Sequence, residues 1–205
     1  MEMTSGSVTA PTAKDLATAR QRFEANEPRD LFYRAATELV DLALARKTSL
    51  SVAEALAVLL QTWNASFYRY RRFDSQHFAD IDALLTRHAG TLRDLRAKTI
   101  RSATQTDLGL VLAVFGDFEM TLGPVGAAKC LHLLAPRLFP LWDRAIAAAY
   151  GLALGRAGTN AVRYRRFLEI ARRQCHRLGE TSLPGSNLLK ALDEYNYCRF
   201  TKRWI

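Results

Sequence analysis

The sequence predicts an all-α protein: a compact, multi-helix fold, on three observations. Apolar residues recur at helical spacing nearly everywhere, and no stretch alternates as a strand would. Capping residues head several of the apolar stretches, and glycines and prolines separate them. At 205 residues, 49% hydrophobic and 24% charged, the chain is long and apolar enough to bury a substantial core.

In chain order, residues 1–13 are small and polar and read as a disordered leader. Residues 14–205 read as a single helical domain with room for two packed halves. Helices are expected over 14–25, 30–46, 51–68, 75–89, 91–102, 107–121, 126–135, 142–151, 160–178 and 187–200. Ser51 before Glu54 forms a capping box, Thr106 precedes Asp107, and Ser186 precedes Asn187. Breaks fall at Gly90, Gly123-Pro124, Pro136 and Pro140, Gly155 to Gly158, and Pro184-Gly185. There is no internal repeat.

Several classes are set aside at this point. No apolar run approaches the ~20 residues of a membrane helix, and the polar start is no signal peptide. Cys130, Cys175 and Cys198 are odd in number and lack paired spacing, against a disulfide framework or a four-thiolate metal site. His77, His88, His132 and His176 are scattered, with no carboxylates at zinc-like spacing. A cytoplasmic monomer with no cofactor, metal or membrane partner is the expectation.

The charge is +9, from 29 basic and 20 acidic residues. Residues 1–102 contribute +3 and residues 103–205 contribute +6. A basic surplus suits nucleic acid, although only six of the basic residues are Lys, and arginine enrichment by itself has a compositional explanation.

The segment TDLGLVLAVFGDFEMTLGPVGAAKCLHLLAPRLFPLWDRAIAAAYG, from Thr106, carries the most information. A four-residue turn, Gly123-Pro124-Val125-Gly126, is expected between two helices. Glycines there permit a close helix crossing and leave backbone N–H groups at a helix start open to a phosphate. An ordinary tight turn between helices reads the same way.

Leu122, Val125 and Gly126, followed by a helix and then Phe139-Pro140-Leu141-Trp142-Asp143, resemble the helix-hairpin-helix DNA glycosylase superfamily. The resemblance spans residues 106–151. It departs in the order Gly123-Pro124 and in a helix one turn shorter before the aspartate. It implies double-stranded DNA as partner, contacted through Gly123, Val125, Gly126 and Lys129. It also implies excision of a damaged or modified base, with Asp143 as the catalytic carboxylate stabilising the sugar cation or activating the nucleophile. Asp143 reads equally as a helix N-cap.

Lys129, in the apolar run Ala127 to Leu134, is a candidate Schiff-base amine, a phosphate contact or a solvent-facing lysine. It stands three residues after Gly126, where the superfamily's lysine stands two after the glycine. His132, one turn on, is either a core histidine or part of a substrate pocket. Trp142 is assigned to that pocket as the neighbour of Asp143, and Asn64 is assigned to it, reading a base edge or orienting Asp143.

The stretch from Trp63 to Phe73 interleaves aromatics with Arg69, Arg71 and Arg72, a mixture that suits a nucleotide. The spacing of Trp63, Phe67 and Tyr70 places those three on a core-facing stripe. Arg163, Arg166, Arg173 and Arg177 fall near one face of the helix over 160–178, with Arg163 and Arg166 as expected DNA contacts. The aromatic C-terminal stretch is expected to dock as a last helix. A DNA-binding glycosylase-like enzyme is the leading expectation, by hydrolysis or with added lyase chemistry at Lys129. The alternative is a non-enzymatic DNA-binding or helical protein-interaction module that keeps the hairpin.

Overall fold

Capping chemistry starts most helices in the computed structural model, which describes residues 8–179 and 187–205. Helix α1 (Ala13–Asn26) opens on a reciprocal box: the Asp15 N–H donates to the Thr12 hydroxyl, and the Thr12 N–H donates to the Asp15 carboxylate. Helix α2 (Asp30–Leu44) follows. Ser51 and Glu54 form the expected box at the head of α3 (Val52–Trp63). The chain leaves helical geometry at Asn64 (φ −114°, ψ 22°), so the expected helix over 51–68 is α3 plus a single turn, α4 (Ala65–Tyr68).

Helix α5 (Ser75–Arg96) runs through Gly90, where a break was expected. A mid-helix glycine costs only about 1 kcal/mol relative to alanine, and apolar anchors lie on both sides in Leu84 and Leu92. Helix α6 (Gln105–Leu134) begins at Thr104 rather than Thr106. Thr104 finds a carboxylate three residues on in Asp107, whereas Thr106 would face Gly109.

The remaining helices are α7 (Arg144–Ala149), α8 (Ala161–Leu178) and α9 (Leu188–Asn196), and a wider π-helical turn covers Tyr197–Lys202. The Asn187 side chain accepts from the Leu189 N–H to cap α9. The expected Ser186 cap and the Pro184-Gly185 turn lie outside the described residues. No strand occurs among those described.

One apolar core joins the elements, from Leu16 to Cys198. Helix α6 lies at its centre, packed by α2, α3, α5 and α8, while α9 packs along α1. Phe115 and Tyr164 stack at 4.0 Å, and Trp142 stands edge-on to both. By length and composition α6 could cross a membrane, contrary to the expectation from the sequence, but Leu108, Val111, Phe115, Phe118 and Leu122 bury it against its neighbours. All three cysteines are buried and unpaired.

Candidate functional site

The site is organised by a kink. Of the expected turn Gly123–Gly126, only Gly123 leaves helical geometry (φ 68°, ψ 168°); Pro124, Val125 and Gly126 already belong to the second segment of α6. That backbone region is almost confined to glycine. A Cβ at Gly123 would also lie 3.0 Å from the Phe67 ring. Pro124 suits the first position of the new segment, because its φ is preset and it has no N–H to leave unpaired. The helix therefore bends at one residue, and the expected four-residue hairpin turn is absent.

The bend is tied to the loop that carries Asp143. The Trp142 indole N–H donates to the Pro124 carbonyl at 3.0 Å, and the Tyr164 hydroxyl donates to the Pro140 carbonyl at 2.8 Å. Asp143 then caps α7, its Oδ1 accepting from the Ile146 N–H at 2.8 Å. Its Oδ2 accepts from the Thr201 hydroxyl at 2.7 Å, which brings the C-terminal turn into the site. Each carboxylate oxygen keeps an unused lone pair.

Asp143 and Lys129 line one cleft of about 620 Å³, with the Gly123–Gly126 backbone along one wall. The Lys129 ammonium donates to the Trp63 carbonyl at 2.5 Å and stands 4.6 Å from the centre of the Trp63 ring. Burial pushes its pKa down to about 8, against the opposing pull of Asp193 and Asp143. Asn64, 3% exposed, lies under Gly126, and its amide nitrogen has no hydrogen-bond partner among the described residues.

Phe67, packed against Gly123, and Tyr70 also line the cleft. Tyr70 is 92% exposed, which overturns its assignment to a core stripe: the break at Asn64 ends the helical register that its spacing assumed. Arg69, Arg71 and Arg72 around it are exposed as well, and the Arg71 guanidinium lies 5.9 Å from the Phe67 ring centre.

Behind the cleft lies a second, smaller chamber of about 50 Å³. Lys129 and Asp143 line both spaces. The chamber walls are Trp63, Trp142 and Tyr197, with Glu27 and Asp193 at its polar edge. Glu27 is held by Arg29 at 2.8 Å and by the Tyr197 hydroxyl, and the Arg29 guanidinium keeps its carboxyl well below the usual range, at about 2. Asp193 is only 7% exposed, and burial pushes its pKa up to about 7 even though Lys190 opposes the shift.

Sequence reasoning brought together Asp143, Lys129, Asn64 and the Gly123–Gly126 backbone, and missed Asp193 and Thr201. The one sequence signal for Asp193 was an acidic pair three and four residues after Lys190 in an otherwise apolar helix. Two assignments are corrected. His132 is a core strut: its Nδ1 faces the Phe139 carbonyl at 2.7 Å and so must donate, leaving Nε2 to accept from the Tyr33 hydroxyl at 3.0 Å. Burial pushes its pKa down to about 4. Trp142 is 1% exposed and supports the site from behind, as the chamber wall.

Arg163 and Arg166 stand on α8, outside the cleft lining. Arg163 donates to the Thr159 carbonyl at 2.7 Å and packs beside Gly155, whereas Arg166 is exposed. No group of three side chains able to hold a metal ion occurs among the described residues. Comparison with protein-family models, curated proteins and solved structures finds no match to this chain.

Proposed function

We propose that this protein binds DNA at the cleft and hydrolyses the N-glycosidic bond of a damaged or modified nucleotide turned out of the stack. The observation that carries the reading is the placement of Asp143 and Lys129 on one open cleft that Tyr70 and Arg144 also line, with Arg71 beside its Phe67 wall. An exposed aromatic offers a stacking face to an unpaired base, and guanidiniums take the flanking phosphates. Asp143 supplies fixed negative charge beside the sugar as positive charge develops at C1′.

The environment of Lys129 favours hydrolysis over strand cleavage. A Schiff base needs a free, unprotonated amine on the substrate side. Here the amine, still mostly protonated at neutral pH with its pKa near 8, donates to the Trp63 carbonyl and faces the Trp63 ring, contacts that suit a positive charge. The test is base release from duplexes containing 8-oxoguanine, uracil or an alkylated base, with borohydride added to trap any covalent adduct. Release without an adduct, reduced by a factor of about 10² or more in Asp143→Asn, is the expected result. Salt-sensitive binding with no release from any duplex would leave the non-enzymatic DNA-binding alternative in its place.

A further inference from the structure

Asp193 is one of three carboxylates gathered around the buried Lys190. It makes no hydrogen bond to any described residue, and its closest cation, Lys190, stands 3.7 Å away. That lysine is shared with Asp30 at 3.2 Å and Glu194 at 3.6 Å. Asp193 also lines the small chamber. One water needs about 10–15 Å³ of such space, so the chamber holds a few waters and no nucleobase. A carboxylate with unclaimed lone pairs therefore borders a water-sized space that shares Lys129 and Asp143 with the cleft.

We propose that Asp193 is the proton-accepting catalytic residue of this site, acting on a water held in the chamber, while Asp143 stabilises the sugar cation. The inference rests on the glycosidic reading above and assigns that chemistry a second carboxylate. As the water oxygen bonds to C1′, one of its protons passes to an Asp193 oxygen. The C1′–N bond breaks and its electron pair stays on the base nitrogen, which is then protonated as Asp193 returns its proton through solvent. One water is consumed, giving a free base and a sugar hydroxyl, and no oxidant or reductant takes part.

Burial, then Lys190 and Glu194 on its own helix, Asp143 from the loop and Lys129 from α6 set the protonation of Asp193, while Asp30 and Tyr33 from α2 act on the same cluster. A base must be unprotonated to act, so the single-turnover rate of base release is expected to rise with pH through neutrality and then level off. The experiment records that rate from pH 5 to 9 for the full chain and for Asp193→Asn and Asp193→Glu, with duplex affinity and Tm measured alongside.

The expected result is a fall of about 10² or more in Asp193→Asn, loss of the rise through neutrality, unchanged affinity, and partial recovery with a displaced rise in Asp193→Glu. An active wild-type protein whose Asp193→Asn variant keeps its rate and pH profile overturns the role of Asp193 and leaves the glycosidic reading standing. A folded variant that loses rate but keeps the rise overturns it as well. If Asp193→Asn does not fold, Asp193→Glu decides, and an undisplaced profile there is contrary. Wild-type protein that releases no base from any duplex overturns both.

Discussion

Asp143 combines a structural and a chemical task, and the two can be separated by substitution. Asn is as good an N-cap as Asp, so Asp143→Asn should keep the cap on α7 and hold Tm, while Asp143→Ala loses about 1 kcal/mol with the Ile146 hydrogen bond. His132 makes a pH-dependent contribution of its own. Its folded-state pKa of about 4 lies below the ordinary 6.5, so between those values the unfolded chain binds a proton that the folded one refuses. The His132 contribution is fully present above pH 6.5 and is lost as the pH drops towards 4, on the order of 3 kcal/mol for this group alone. Asp193, pushed up to about 7, contributes a slope of the opposite sign over the same range, so the His132 part is read as the difference between thermal melts of wild type and His132→Gln across pH 4 to 8. A slope unchanged in that variant would refute the assignment.

At this scale the sequence disclosed the residues whose chemistry is local. Asp143 announced itself as a capping aspartate after two prolines, and Lys129 as a charge in an apolar run. Asp193 and the core role of His132 depend on partners more than 60 residues away in the chain or on a loop that folds back, which helical periodicity does not encode.

Among the elements, the kinked α6 sets the site. Its two segments were legible from Gly123-Pro124, but their continuity was not, because a single residue with positive φ does the work expected of a four-residue turn. Gly123→Ala should therefore cost about 1–3 kcal/mol from backbone strain alone, with more from the 3.0 Å approach to Phe67. It should also weaken DNA binding by displacing Phe67. Gly90 is the contrast: it lies inside α5 with nothing within 4 Å of a Cβ, so Gly90→Ala should stabilise by about 0.5–1 kcal/mol. Denaturant melts of both variants check the opposite signs. The break at Asn64 has the same lesson as the kink, since a helical stripe is informative only while the helix continues. Tyr70 was assigned to the core by a register that ends six residues before it.

For the whole molecule, the +9 charge acquires a location. The surplus after residue 102 pointed to α8, yet the arginine in the cleft lining is Arg144, and Arg71, from the exposed run Arg69 to Arg72, lies against Phe67 in its wall. If that run tracks the phosphate backbone, replacing Arg71 and Arg72 by Ala should each reduce the slope of log K against log salt by about 0.9. Arg166→Ala should change it little. A reversed ranking would move the DNA surface to α8. The all-α class and the single core were legible from periodicity and capping throughout, because those signals are local and many. The cleft itself is a tertiary product of α3, α4, α6, α7 and the C-terminal turn, and no one segment announces it.

The most direct measurement is single-turnover base release by wild-type protein and Asp143→Asn on the same lesion-bearing duplexes, with duplex affinity measured in parallel. The expected result is release by the wild type, a loss of about 10² or more in the variant, and equal affinity. Equal release by both proteins would contradict the role of Asp143, and no release by the wild type despite tight, salt-sensitive binding would contradict the enzymatic reading.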